Sequence, residues 1–383
     1  MAQTVGDIIG APTSKQPEIR LAKKWIQDCR DKHPHHRCSA FTDVPLPTRV
    51  LDVRPSPGLN HVRLVLTNSS PGRYITLSHR WGDPSKMPIK LTQDTLERLR
   101  IGISLDSLPR TFQDAVTVTR NLGYHYLWID SLCILQDSVD DWQKAVIEMP
   151  DIYNHGELNI CGPAAADCTA GFLHDRKLSP ESKAVHVPWR ISQGRSRQTL
   201  RLIYRGHLPA SGEPPHSELN SALATRGWIL QERLLSQRML YFGSRNMYWE
   251  CNTNSSYETL HFPLANDSKL RNEVAKMSFN KPSSSGPNAP TFGWRWPWYE
   301  MLGTYSTMDL SFQTDKLVAI FALAQRFLGV LQDEYLAGLW RSELFKGLSW
   351  YVNPMQPQKH ALPKPPTAHP PSPYIAPSWS WAS

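Results

Sequence analysis

No run of eighteen consecutive apolar residues occurs in this 383-residue chain, so no segment is long enough to cross a bilayer as a helix. Residues 1–20 include Lys15, Glu18 and Arg20 and no apolar core of the kind a secretory leader carries. A glycine-rich GxGxxG or GKS phosphate loop is missing too, which counts against a dehydrogenase or an NTPase. There is no internal repeat, no dense basic helix and no nucleic-acid motif. The formal net charge of +8 is therefore read as a mild bias towards phosphate-bearing ligands, with no nucleic-acid partner expected. The six cysteines (Cys29, Cys38, Cys133, Cys161, Cys168, Cys251) lack the dense pattern of a secreted disulfide scaffold. These absences describe a reduced, soluble, cytoplasmic protein with no membrane partner.

Tryptophan and proline, by contrast, are plentiful, at 14 and 32 residues. So much proline implies many turns and irregular connections rather than long helices. The chain is organised around Tyr124–Asp137 (YHYLWIDSLCILQD). Its apolar run Tyr126-Leu127-Trp128-Ile129 is long enough for one buried strand and too short for an independent helix. It stops at Asp130, Ser131, Cys133, Gln136 and Asp137, a set of polar groups at the carboxyl end of a strand, where ligands bind in α/β sheets. Asp130 as a turn cap and Cys133 as a small buried hydrophobe explain the same residues equally well.

Arg73–Ser78 is a second β-rich run, ending in His79-Arg80-Trp81-Gly82-Asp83-Pro84, and Leu158–Gly162 a third. Between the first two, Pro109 and the repeat of Phe112, Ala115, Val116, Thr119 and Leu122 predict a helix that Gly123 ends. Its length suits a crossover between parallel strands. A second helix, capped by Asp140 or Asp141, carries Trp142, Ala145, Val146, Met149 and Tyr153 on its buried side, with Pro150 expected to kink or end it early. Leu46–Val53 and Val62–Leu66 read as paired strands ahead of this region. Val185–Trp189 with Thr199–Tyr204 reads as an inserted hairpin, and Lys281–Pro290 as a linker. Trp298–Tyr305, Asp315–Phe327 and Ala337–Trp350 all look helical. The expected fold is α/β: a mainly parallel sheet flanked by helices, with an inserted β-hairpin and an α-rich C-terminal extension. The expected segments are 1–70, 71–255 and 256–383. Near the N-terminus, Cys29-x3-His33-x-His35-His36-x-Cys38 has ligand types that zinc accepts, but its spacing matches no standard finger. It is read as a loop, with no metal centre expected.

Three blocks together resemble the fungal heterokaryon-incompatibility (HET) domain: Tyr74–Gly82, Leu127–Asp137 and Arg226–Arg233, in that order, with Met149-x3-Tyr153 as a weaker fourth. Tyr305, Asp315–Leu317, Gly338–Trp340 and Ala376–Trp381 look like segments that follow the domain in its relatives. The resemblance implies a role in self/non-self recognition and programmed cell death. It also implies a TIR-like, flavodoxin-like core, because HET domains are similar in fold to TIR domains, several of which cleave NAD. In those a glutamate follows a Trp-Cys pair on the helix after the third strand. Here Trp228 and Glu232 stand four apart on one helical face.

On this reading NAD is a substrate and no cofactor is needed. Its nicotinamide leaves as a neutral molecule from a cationic precursor, so one carboxylate, Glu232, suffices to stabilise an oxocarbenium-like ribose or to orient water. Trp81 or Trp228 would stack on a base, and Arg226, Arg80 or Arg233 would hold the pyrophosphate. Ser78 and Asp130 would hold ribose hydroxyls. Against this stands a structural role for Glu232 in a salt bridge with Arg226, Arg233 or Arg238. Two rival functions remain. One is metabolite tailoring through a Cys133/His79/Asp130 thiolate site. The other is a non-enzymatic module that self-associates or engages an incompatibility partner.

Overall fold

A computed structural model describes residues 17–33, 38, 42–55, 58, 60–83, 87, 89–174, 185–190, 197–202, 221, 223–244, 246–258, 264–265, 271, 274, 292–351 and 374–383. Contacts divide the chain into two compact units: residues 1–224 with 236–272, and residues 225–235 with 273–383. The Lys281–Pro290 tract, His35, His36 and Pro84 lie outside the described residues.

In the first unit the strands are β1 (Val44–Pro45), β2 (Arg49–Asp52), β3 (His61–Leu66), β4 (Pro71–Gly72), β5 (Tyr74–Ser78), β6 (Ile103–Ser104), β7 (Tyr126–Trp128), β8 (Leu158–Cys161), β9 (Val185–Arg190), β10 (Arg197–Leu202), β11 (Arg238–Phe242), β12 (Met247–Cys251), β13 (Asn254–Tyr257) and β14 (Leu264–Ala265). Its helices are α1 (Pro17–Lys32), α2 (Gln93–Ile101), α3 (Arg110–Leu122), α4 (Asp130–Cys133) and α5 (Val139–His155). One sheet runs β14-β13-β12-β11-β8-β5-β7-β2-β3-β6, ten strands ending in the two-residue β6. Only its centre is parallel: β5 pairs parallel with β7 and β8, and β11 pairs parallel with β8. β2, β3 and β6 on one side and β12, β13 and β14 on the other are antiparallel. The sheet is therefore mixed rather than mainly parallel. Short connections make antiparallel neighbours of β2 and β3, β11 and β12, and β12 and β13, while β6 and β7 join antiparallel partners from far along the chain. Parallel pairing needs long crossovers, and these occur only at the centre. The expected insertion is present as the antiparallel β9–β10 pair.

All five residues of β5 are buried, and Val50, Leu77, Leu127, Ile160 and Leu240 have almost no exposed surface. Each such side chain contributes about 1.5–3 kcal/mol. Helix α3 starts after Pro109 and stops at Gly123, whose left-handed φ of 98° lets its N–H bond back to Thr119 and Arg120. In α5 the N-cap is Ser138, which accepts from the Asp141 N–H at 3.2 Å. Pro150 does not end that helix. It is buried beside Met149, Ile152 and Tyr153, and the Tyr74 hydroxyl donates to the Ile152 carbonyl at 2.7 Å, so packing on the sheet outweighs the missing backbone donor. Trp142, expected on the buried side, is exposed.

The second unit holds α6 (Gly227–Leu235), α7 (Phe292–Tyr305), α8 (Val318–Leu331), β15 (Tyr335–Leu336), β16 (Leu339–Trp340) and the short α9 (Leu344–Gly347). Helix α8 packs on α6 and α7. Trp298 is fully buried between Phe327, Tyr335 and Trp340. The helix expected over Ala337–Trp350 is instead a tight hairpin, a 3-10 turn and the four residues of α9. Ala337 and Gly338 both have positive φ, 43° and 99°, the geometry of a two-residue hairpin turn.

Candidate functional site

The polar groups expected at the carboxyl ends of β5 and β7 do come together in the first unit. The Trp81 indole donates to Asp130 Oδ2 at 2.9 Å, and the other carboxylate oxygen accepts from the Ser131 N–H at 2.6 Å. His79 Nδ1 lies 3.7 Å from Asp130 Oδ1, an ion-pair distance rather than a hydrogen bond. The His79 ring lies parallel to Trp81 at 6.5 Å and meets Phe112 edge-on at 4.9 Å. Gly82 closes this loop with φ +80°, and a Cβ there would come within 2.4 Å of Asp167.

The turn after β7 is held from below. Arg49 pairs with Asp141 and donates to the Cys133 carbonyl at 2.9 Å, while Asp141 accepts from the Leu135 N–H at 2.8 Å. This buried clamp fixes α4, and α4 begins at Asp130. The sequence marked Asp141 only as a possible helix cap, and its pairing with Arg49 was not legible because it crosses from β2 to α5.

Access differs among the expected site residues. Ser78 is fully buried and accepts a hydrogen bond from Asn159 Nδ2 at 2.9 Å, and the same amide donates to Ser236 at 3.1 Å. His79 is buried, Trp81 and Asp130 are half-buried, and Arg80 is exposed with a contact to the Ala166 carbonyl. Cys133 is buried, and burial first of all pushes its thiol up to about 12. At neutral pH it is a thiol, not a thiolate nucleophile.

Arg226, Trp228 and Glu232 belong to the second unit. The segment Thr225–Gly227 is stitched to Asp309: Gly227 N–H donates to the Asp309 carbonyl at 2.8 Å, and Asp309 N–H to the Thr225 carbonyl at 2.6 Å. Gly227 is required by close packing, since a Cβ would stand 2.7 Å from Leu310 Cδ2. The Trp228 indole donates to Asp315 Oδ2 at 3.4 Å, and burial raises the Asp315 pKa. Glu232 is buried one helical turn further on.

Residues 74–232 match the family model described as Heterokaryon incompatibility protein (HET). This stretch is a HET domain. It starts with β5, holds the whole Ser78–Trp81 and Asp130–Cys133 edge, and ends at Glu232. No curated protein and no solved structure matches the chain. No helix among the described residues is long and apolar enough to cross a membrane.

The HET domain also borders a cavity of about 320 Å³ in the first unit, lined by Arg30, Arg73, Leu122, Gly123, Tyr124, His125 and Tyr126. It lies at the amino ends of β5 and β7, opposite the Asp130 edge, and none of the expected site residues lines it. The polar side chains of the first unit converge instead at the carboxyl edge, the end of a sheet where α/β proteins bind ligands.

Proposed function

We propose that this protein acts in heterokaryon incompatibility, in self/non-self recognition leading to programmed cell death, and that it does so by hydrolysing NAD to ADP-ribose and nicotinamide. The reading rests on the HET domain at residues 74–232 and, for the chemistry, on the TIR-like placement of Glu232 one turn after Trp228. In this scheme water adds to the ribose anomeric carbon as the C–N bond breaks. The bonding pair leaves on nicotinamide, the water proton passes to solvent, and Glu232 stabilises the developing positive charge on the ribose. Buried Ser78 serves by positioning the strand end rather than by touching the ligand.

The rival thiolate chemistry at Cys133 is disfavoured by burial, which keeps the sulfur protonated. NAD is therefore the substrate to test first. Purified full-length protein incubated with NAD at high protein concentration should release nicotinamide, and Glu232→Gln should abolish the release while leaving the fold intact. Absence of release from the wild type under those conditions would overturn the reading.

A further inference from the structure

Four potential metal ligands converge at the edge of the sheet opposite Asp130. They are Cys29 in the last turn of α1, His33 one turn beyond it, Cys38 on the returning chain, and Cys251 at the end of β12. Their donor atoms all lie within 4.8 Å of one another. The three cysteines are buried and His33 is half-buried. All six cysteines of the chain are free thiols.

The geometry points to a structural Zn²⁺ site of Cys3His type formed by Cys29, His33, Cys38 and Cys251. Zinc takes thiolate sulfur at about 2.3 Å and imidazole nitrogen at about 2.0–2.1 Å, so neighbouring ligands in a filled tetrahedron stand roughly 3.5–3.8 Å apart. Cys251 Sγ and His33 Nδ1 are 3.7 Å apart. Small side-chain rotations draw the remaining pairs in. Four protein donors fill the coordination sphere and leave no position for substrate, the mark of a structural rather than a catalytic zinc. Soft sulfur donors in a tetrahedral set select zinc over magnesium, calcium or manganese.

The surroundings suit the bound ion. Three thiolates and one neutral imidazole around Zn²⁺ leave a single negative charge, and the buried Arg238 donates its Nε–H to Cys29 Sγ at 3.4 Å. The Asn254 backbone N–H points at Cys251 Sγ at 3.4 Å, and Thr253 Oγ1 lies 3.6 Å from Cys38 Sγ. With Nδ1 facing the metal, His33 Nε2 must carry the proton, and the Asn254 amide lies 3.2 Å from it. A half-turn of that amide presents its oxygen to Nε2–H and its nitrogen to the Cys251 thiolate, so one side chain orients two ligands. Arg238 and Cys251 are register partners across β11 and β12, and the Trp25 ring of α1 lies tilted against Trp249 of β12 at 6.4 Å. The ion would therefore fasten α1 to the sheet.

The test is metal analysis of the full-length protein purified without chelator, followed by cobalt substitution. The expected result is one zinc per chain. Co²⁺ replacement should give the visible absorption of a tetrahedral thiolate complex. His33→Cys, at a half-buried position that tolerates change, should keep the metal and shift the cobalt bands to longer wavelength. His33→Ala should weaken zinc binding at least tenfold, and Cys168→Ala, outside the cluster, should leave the zinc content unchanged. Metal removal should lower the melting temperature by roughly 5 °C or more. A chain that purifies without zinc and shows no cobalt spectrum would overturn the assignment. So would a disulfide between two of the cluster cysteines, or cobalt bands that His33→Cys does not move.

Discussion

Trp81 and Asp130 are joined by a 2.9 Å hydrogen bond that ties the loop after β5 to the turn after β7. The bond links two of the three family blocks directly. Trp81→Phe keeps an aromatic ring beside His79 and removes only the donor. It should cost about 1–2 kcal/mol in urea unfolding, the price of leaving a half-buried carboxylate short of one partner. An unchanged midpoint would mean that the bond contributes nothing to the fold.

Glu250 and Arg271 form a pair at 2.7 Å in which neither side chain has any exposed surface, with Tyr241 and Tyr248 also donating to the carboxylate. Glu250→Ala strands a buried guanidinium and should destabilise by about 3–5 kcal/mol. Replacing both residues by apolar ones of similar volume should restore much of that loss. Equal destabilisation in the single and double variants would contradict the argument.

Glu157 supplies a pH dependence. Burial first, against the opposing pull of Arg238, Arg73 and Arg30, raises its pKa from 4.5 to about 7. The folded state thus holds a proton that the unfolded chain has already released. Its contribution is complete below pH 4.5 and declines as pH rises through 7, by a total on the order of 3 kcal/mol. Glu157→Gln should flatten this part of the stability–pH curve and leave the variant more stable than wild type at pH 8. A wild-type curve that is flat or rising over that window, unaltered by the substitution, would refute it.

Cys133 should resist alkylation in the native protein. With its pKa pushed up to about 12 and its side chain buried, iodoacetamide at pH 8 should label it only after denaturation, as read by peptide mass. Rapid native labelling would revive the thiolate chemistry set aside above.

Gly338 sits at φ +99° in the β15–β16 turn, and a Cβ there would come within 2.1 Å of Trp381 Nε1. Gly338→Ala should cost at least about 2 kcal/mol, from backbone strain and the displaced indole together. A variant with wild-type stability would show that the tail at Trp381 does not depend on this turn.

The central strands were legible because β5 and β7 are short apolar runs that end abruptly in polar residues. The crossover α3 was legible because Pro109 and Gly123 punctuate it. What failed were readings that depend on partners far along the chain. Leu339, Trp340, Leu344 and Leu348 imitate a helical stripe, but positive φ at Ala337 and Gly338 and the packing of Trp381 impose a hairpin. Ser138 caps α5 in place of Asp140 or Asp141, a shift that local propensity does not resolve. The Cys29–Cys38 motif fits no standard finger, and the thiol that the fold brings to it, Cys251, comes from the last residue of a distant strand. The Arg49–Asp141 clamp was invisible for the same reason.

Helix α6 lies in sequence between β8 and β11 of the first unit, yet it packs against α8 of the second. The backbone thus passes from one body to the other and back before leaving for good. Excising the region by homology alone would sever α6 at Glu232 and strip the sheet of β2, β3 and β11 to β14. Inherited module and physical body do not share borders in this chain, and a recombinant piece trimmed to the former should precipitate.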